Sequence, residues 1–138
     1  GFNTISKYPR ADYVCLANHE IALEERNQRD GVRQMILNVA QKLDSKRITV
    51  TRSKNGNICY TQGSDFVEAP AFSQQAVDRV GAGDSVIAIT SLLAVQEAPT
   101  EVVAFLGNVV GSEAVATVAH SRSIEFLALV RHIEALLK

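Results

Sequence analysis

The stretch Val77-Asp78-Arg79-Val80-Gly81-Ala82-Gly83-Asp84-Ser85, running at once into the apolar segment 86–95, constrains this chain more than any other. Two glycines around an alanine permit a tight turn with positive φ at no Cβ cost. A helix that starts straight after such a turn presents N–H groups with no acceptor inside the helix. Together with the turn amides they make a concave site for an anion such as a phosphate. Asp84 stands beside that site as a proton acceptor, which is the equipment for phosphoryl transfer to a hydroxyl. The same residues also suit a plain glycine loop followed by an aspartate that merely caps a buried helix.

Around this turn the pattern is that of a layered α/β protein. Tyr13-Val14-Cys15-Leu16-Ala17 is a continuous apolar run, the mark of a strand covered on both faces. Asn18-His19-Glu20 follows at its carboxyl end, where open α/β sheets place ligands. Asp30 is expected to cap a helix with Val32, Met35, Ile36, Val39 and Leu43 on one face. A meander should follow over 48–51, 58–60 and 66–69, with Asn55-Gly56 as its hairpin signal and Pro70 ending it. The helix from about 84 to 96 is apolar nearly all round and is expected to be buried behind the sheet. A second buried helix should begin at Pro99-Thr100-Glu101, with Thr100 as its cap, and run through Gly107, Asn108 and Gly111 towards Thr117. Glycines there cost about 1 kcal/mol each relative to alanine, which implies close approach of another backbone or of a ligand. Ser123 is expected to cap a final amphipathic helix with Phe126, Leu129, Val130, Ile133 and Leu137 on one face.

Composition narrows the class of partner. The 138 residues suit a single domain, and 46% hydrophobic with 21% charged residues describes a globular chain and not a disordered one. Fourteen basic and 15 acidic residues, net −1 and without blocks of either sign, give no footprint for nucleic acid or an anionic membrane surface. No apolar run reaches a membrane span, and GFNTISKYPR lacks a secretory core, so a cytoplasmic protein is expected. The first residue, Gly1, suits a piece of a longer chain. Cys15 and Cys59 lie in strand-like runs with no C-x-x-C pair, which argues for buried reduced thiols and leaves a disulfide between them open. His19, His120 and His132 have no ligand spacing, and Glu24-Glu25-Arg26 and Arg29-Asp30 read as a solvated loop.

Three features resemble the PfkB/ribokinase family of carbohydrate kinases. Asp78-x-x-Gly81-Ala82-Gly83-Asp84 is similar to the family's second signature, D-x-x-G-A-G-D. Thr51-Arg52-Ser53-Lys54-Asn55-Gly56 is similar to its T-x-G-x-x-G nucleotide loop. Asn108, within Gly107-Asn108-Val109-Val110-Gly111, falls where the family has an asparagine and a glycine-bearing helix beside the adenine. The resemblance covers nearly all of this chain but only the C-terminal half of a family member. It implies a ribokinase-like three-layer α/β/α fold, with a partly parallel sheet and an antiparallel meander between helices. ATP would lie across the carboxyl ends of the strands. The resemblance further implies that Asp84 is the general base for a sugar hydroxyl and that the Gly81, Ala82 and Gly83 amides form the anion hole. Thr51, Ser53, Gly56, Asn108 and Gly111 would contact the nucleotide. Mg²⁺ would accompany ATP, and a monovalent cation such as K⁺ would sit near Asp78 and the Val80 carbonyl.

The chain departs from the family in three places. Ser53 replaces the middle glycine of the nucleotide loop, so either its hydroxyl donates to phosphate or the loop is displaced. The family's N-x-x-E motif is imperfect, since Asn18 has Ile21 at the third position: either Ala17 occupies the Asn slot and Glu20 stands in the place that organises Mg²⁺ through water, or the motif has lapsed. The half that carries the sugar-contacting acid, an early glycine-rich signature and the lid has no counterpart here. Two functions follow. One is the nucleotide-binding, base-bearing portion of an ATP-dependent kinase for a sugar or sugar phosphate, inactive alone. The other is a non-catalytic, orphaned kinase module that binds nucleotide or a partner protein. A truncated sheet should leave an edge or apolar face uncovered, so a homo-oligomer is expected.

Overall fold

Alternation along four short strands decides what each face of the sheet can bind. In a computed structural model, residues 4–26, 31–72, 81–116 and 124–138 are described. Strands β1 (Tyr13–Ala17), β2 (Arg47–Thr51), β3 (Asn57–Thr61) and β4 (Val67–Ala69) form one sheet in that order. β1 and β2 are parallel, and the pairs β2/β3 and β3/β4 are antiparallel. The helices are α1 (Asn18–Glu24), α2 (Val32–Lys42), α3 (Ala82–Val95), α4 (Thr100–Ala116) and α5 (Phe126–Leu136).

Val14, Ile48, Val50 and Ile58 point to one face and meet Ile21 of α1 with Met35, Ile36, Val39 and Ala40 of α2. This is an apolar layer, which the hydrophobic effect assembles without regard to direction. The residues between them point the other way, where Cys59, Val67 and Ala69 pack on Val103 and Ala104 of α4 and Leu93 of α3. The result is the three-layer α/β/α arrangement expected, with a partly parallel sheet and a meander. The second face is also held by directional bonds. Arg47 Nη1 donates to the Ala98 carbonyl at 2.7 Å, Asn57 Nδ2 donates to the Ala104 carbonyl at 2.9 Å, and the Thr61 and Thr100 hydroxyls lie 2.7 Å apart.

The glycines of α4 answer to this packing. A Cβ on Gly107 would come within 3.1 Å of Asn57 Nδ2 and 3.3 Å of Thr90 Cγ2, and one on Gly111 within 3.4 Å of Val86 Cγ2. The close approach is therefore made by β3 and α3. Gly56, at φ +75°, is tighter still: a Cβ there would stand 1.9 Å from the Ala69 carbonyl oxygen and 2.7 Å from Pro70 C.

Several expectations need correcting. α3 is not buried all round; Val86 and Thr90 are its buried residues, while Leu92 is 59% and Val95 83% exposed. One side packs on α4 and the sheet, and no described layer covers the other. Thr100 does not cap α4 but is its first residue, with its hydroxyl engaged by Thr61. Glu24 is no loop residue. It ends α1, its side chain is 3% exposed, and its carboxylate takes Lys42 Nζ at 2.5 Å and the Ser6 N–H at 3.3 Å. Gly31 occupies the cap position of α2 and Glu125 that of α5. Arg29, Asp30, Thr117, His120 and Ser123 lie outside the described residues. Phe126 at the start of α5 and Leu137 just past its end are 76% and 72% exposed, so the expected apolar face is only partly covered. His132 of α5 meets the Glu113 carboxylate of α4.

The two cysteines are free. Cys15 stands opposite Thr49, and Thr49 opposite Cys59, so two strand spacings of about 4.8 Å separate them. That exceeds the reach of a disulfide. Burial pushes the Cys15 thiol up to about 12 and the Cys59 thiol up to about 11, which keeps both protonated and unreactive.

Two outcomes follow from this packing. Gly56→Ala should cost about 3 kcal/mol or more, or prevent folding, because backbone and not a flexible side chain meets the new Cβ; chemical denaturation checks it. Burial alone would raise the Glu24 carboxyl, but the bonds from Lys42 and Ser6 outweigh it and hold the group below its ordinary 4.5. Its contribution is therefore complete above pH 4.5 and is lost as pH falls through the lower folded value. Glu24→Gln should remove that part of the acid-side slope in denaturation midpoints measured against pH.

Candidate active site

Three segments gather at the carboxyl end of the parallel pair β1/β2. β1 delivers Asn18–Glu24 as α1, and β2 delivers the turn Ser53–Asn55 directly after Thr51 and Arg52. α3 brings the third. Arg47 at the start of β2 binds the Ala98 carbonyl just beyond the end of α3, whereas Asn57, opposite Thr51 at the end of β2, crowds Gly107 together with Thr90. α3 thus runs antiparallel to β2. From Thr90 its axis continues for about 9 Å to Asp84, at 1.5 Å per residue, past the strand end.

At that end the helix is closed by Gly81, whose φ of +76° and ψ of −3° are left-handed. The first helical bond runs from the Ser85 N–H to the Gly81 carbonyl at 3.1 Å, and the Ser85 hydroxyl donates to the same carbonyl at 3.2 Å. Ala82, Gly83 and Asp84 are therefore the first-turn residues whose N–H groups precede any helical acceptor. The Asp84 side chain is exposed in this turn, where the helix dipole favours a negative charge. Asp78, Arg79 and Val80, expected beside this turn, lie outside the described residues.

The 51–56 loop is knitted internally. The Arg52 N–H donates to the Gly56 carbonyl at 2.7 Å, the Asn55 N–H to the Arg52 carbonyl at 3.0 Å, and the Gly56 N–H to the Ser53 carbonyl at 3.0 Å. Arg52 Nη2 anchors it to β4 through Glu68 Oε2 at 2.8 Å and also reaches the Asn57 carbonyl at 3.3 Å. Glu68 accepts Arg33 Nη2 at 2.8 Å as well. The bonds from Arg33 and Arg52 hold its carboxyl below the usual carboxylate range. Sequence reasoning missed this Arg33–Glu68–Arg52 bridge, because only the β3/β4 register brings Glu68 to the loop.

Glu20 has a local role. Its Oε2 accepts the Ala17 N–H at 2.7 Å, so the spacing that places it three residues after Ala17 is also that of a helix cap. Asn108 and Gly56 converge on one group. Asn108 Nδ2 donates to the Ala69 carbonyl at 3.0 Å, the same oxygen that leaves no room for a side chain at Gly56. Phe72 meets Phe105 edge-on at 5.5 Å, fixing the chain as it leaves β4. The structure thus brings Glu20, the 51–56 loop and Gly81–Asp84 to one end of the sheet, with Asn108 and Gly111 on the faces of α4 that meet β4 and α3. A groove of about 290 Å³ lined by Leu37, Gln41, Asp44 and Gln62 opens at the amino end of β2, away from these segments. Among the described residues no group of three His, Cys, Asp or Glu could hold a metal, and no helix is long and apolar enough to cross a membrane.

Similar folds occur among solved structures. Escherichia coli phosphofructokinase-2, solved with substrates and products and separately with potassium, superposes with a TM-score of 0.79 in both cases, at 19% and 17% identity, over 94% of this chain and 42% of its own. Sinorhizobium meliloti adenosine kinase gives 0.77 at 20% identity, over 96% and 40%. Thermotoga maritima ribokinase gives 0.76 at 19% identity, over 89% and 42%. At these identities the likeness establishes the ribokinase-like fold, and the chain spans about two-fifths of each kinase's length. No curated protein sequence matches. Residues 3–126, which include the Gly81–Asp84 turn and the 51–56 loop, match the model of the pfkB family carbohydrate kinases, and the chain belongs to that family.

Proposed function

We propose that this chain is a single-domain, nucleotide-binding and base-bearing portion of an ATP-dependent kinase that phosphorylates a hydroxyl of a sugar or sugar phosphate. The sugar-contacting residues and lid would lie outside these 138 residues, so the chain alone would be inactive. The observation that carries the reading is the exposed Asp84 carboxylate on the first turn of α3, beyond the strand ends and beside first-turn amides that have no acceptor within the helix. On this reading Asp84 accepts the proton of the sugar hydroxyl as its oxygen attacks the γ-phosphorus and the bridging oxygen leaves with ADP. The Gly81, Ala82 and Gly83 segment and the following helical amides hold the charge on the transferred group without reorganising.

Thr51, Ser53 and Gly56 would follow the phosphates, and Asn108 and Gly111 the adenine side. Mg²⁺ fits the same arrangement. Glu20 uses Oε2 for the helix cap, leaving Oε1 to accept from a Mg²⁺-bound water, and the nucleotide phosphates would supply the direct oxygens. Asp78 and the Val80 carbonyl are the proposed place for K⁺. The exposed apolar side of α3 supports self-association, for which sedimentation is the measurement.

Thermal unfolding of the chain with Mg·ATP tests the reading. Ligand at a hundred times its Kd should add about 2.7 kcal/mol of stability. No shift at millimolar concentration would overturn it. Asp84→Asn should keep that shift, while in a kinase completed by a sugar-binding half it should lower kcat by roughly 10²–10⁴ with the KM for ATP unchanged.

A further inference from the structure

The backbone bonds of the 51–56 loop close it on itself, so it would swing as one piece about its strand ends unless side chains hold it to the rest of the fold. It is also strained, since Ser53 takes a φ of +53° that a Cβ disfavours, and such a conformation persists only where the surroundings hold it. At the exit, Gly56 lies against the Ala69 carbonyl. At the entry the hold is Arg52. Its side chain is 19% exposed, and its Nε is buried without a hydrogen-bond partner among the described residues. The guanidinium therefore depends on the bonds from Nη2, to Glu68 Oε2 and to the Asn57 carbonyl. Asn57 directly follows the loop, so Glu68 is the acceptor that ties it to another strand pair.

What aims Glu68 comes from the helix layer beneath it. Glu68 stands opposite Ile58 in the β3/β4 register, and residues directly opposite share a face, here the one covered by α1 and α2. On that face Glu68 Oε1 takes Arg33 Nη2 at 2.8 Å. Arg33 is the second residue of α2, where a cation opposes the helix dipole, so the helix itself gains nothing from the charge. Its partners among the described residues are Glu68 and the Phe66 ring, whose centroid lies 5.4 Å from the guanidinium carbon. Phe66 in turn packs on Tyr60, with ring centroids 5.2 Å apart. A lone exposed ion pair contributes little. One carboxylate shared by two guanidinium groups, one largely covered and one stacked on a ring, is a network.

We infer that Arg33 is a positioning residue for the 51–56 loop: by holding Glu68 Oε1 it aims Oε2 at Arg52, and so fixes the loop's entry from the α2 layer. The inference rests on the nucleotide reading above and adds to it a residue of α2 that stands outside the site.

Amide hydrogen exchange of the 138-residue chain, with carboxyl titration by NMR and calorimetric titration with Mg·ATP, tests this on Arg33→Met, Glu68→Gln and the double variant. Exchange at Asn55 and Gly56 should quicken about threefold in Arg33→Met and about tenfold in Glu68→Gln, with Ile48 and Val50 unchanged. The double variant should be no faster than Glu68→Gln alone, because the effect of Arg33 passes through Glu68. Arg33→Met should also let the Glu68 carboxyl rise towards its ordinary 4.5, since the Arg33 bond is foremost among those that hold it down. Both single variants should bind Mg·ATP several-fold more weakly. Unchanged loop amides in Arg33→Met, equal acceleration in loop and core, or a double variant faster than Glu68→Gln would each overturn the inference. A parent that binds Mg·ATP with an Arg33→Met chain that binds it equally overturns the positioning role alone. A parent that binds no Mg·ATP overturns the nucleotide reading itself.

Discussion

The position of α3 on its side of the sheet depends on a stripe of hydrogen bonds along α4. Thr100, Ala104 and Asn108 are spaced four residues apart, so they share one face of the helix and rise one turn at a time. Each is tied to the sheet by a hydrogen bond, to the Thr61 hydroxyl, the Asn57 amide and the Ala69 carbonyl in turn. The middle bond is buried, with Asn57 only 1% exposed, and a buried amide deprived of its acceptor pays its full desolvation penalty. Aliphatic packing alone would let α4 slide along the sheet, whereas these three bonds fix its height and rotation. Gly107 and Gly111, on the neighbouring stripe, then admit Thr90 and Val86 of α3. The height of α3, and with it that of Asp84, is inherited from α4.

The two faces of the sheet divide the work. Towards α1 and α2 it presents Val14, Ile48, Val50 and Ile58, which bury apolar area and supply cohesion. Towards α3 and α4 it presents Arg47, Thr49, Asn57 and Thr61, whose side chains bond directionally. The pieces that would handle phosphate hang from the carboxyl ends of strands anchored by both means. The 51–56 loop is tied to β4 by Arg52 and Glu68, and the segment leaving β4 is caught between Gly56, Asn108 and Phe105. Loops placed on so rigid a base can hold donors in fixed geometry, the condition for electrostatic stabilisation of a transferred group.

Much of this was legible in the residues. The strands, the hairpin at Asn55-Gly56 and the helix after the glycine turn follow from periodicity and turn chemistry, and the structure has them where expected. α1 was not legible, since seven residues with Asn, His and two Glu show no periodic stripe. The role of Glu24 was hidden for the same reason: a charged residue in a charged run looks solvated until Lys42, eighteen positions later, is folded against it. Of the site, the Gly81 turn and Asp84 were readable because their chemistry is local. The double use of the Ala69 carbonyl by Gly56 and Asn108 was not, because the three residues come from distant parts of the chain.

By itself, then, the order of residues determined what is local: which segments are strands, where the chain must turn, and that an acid begins a helix behind two glycines. Such features rest on backbone sterics and on apolar periods of two or about four residues, which are written within a few positions of one another. Only the tertiary structure decided which side of α3 is covered, which glycines make room for neighbours, and that Ser53 adopts a backbone conformation its Cβ disfavours. Those outcomes depend on register and helix height, quantities set by contacts between residues tens of positions apart, and no local pattern encodes them.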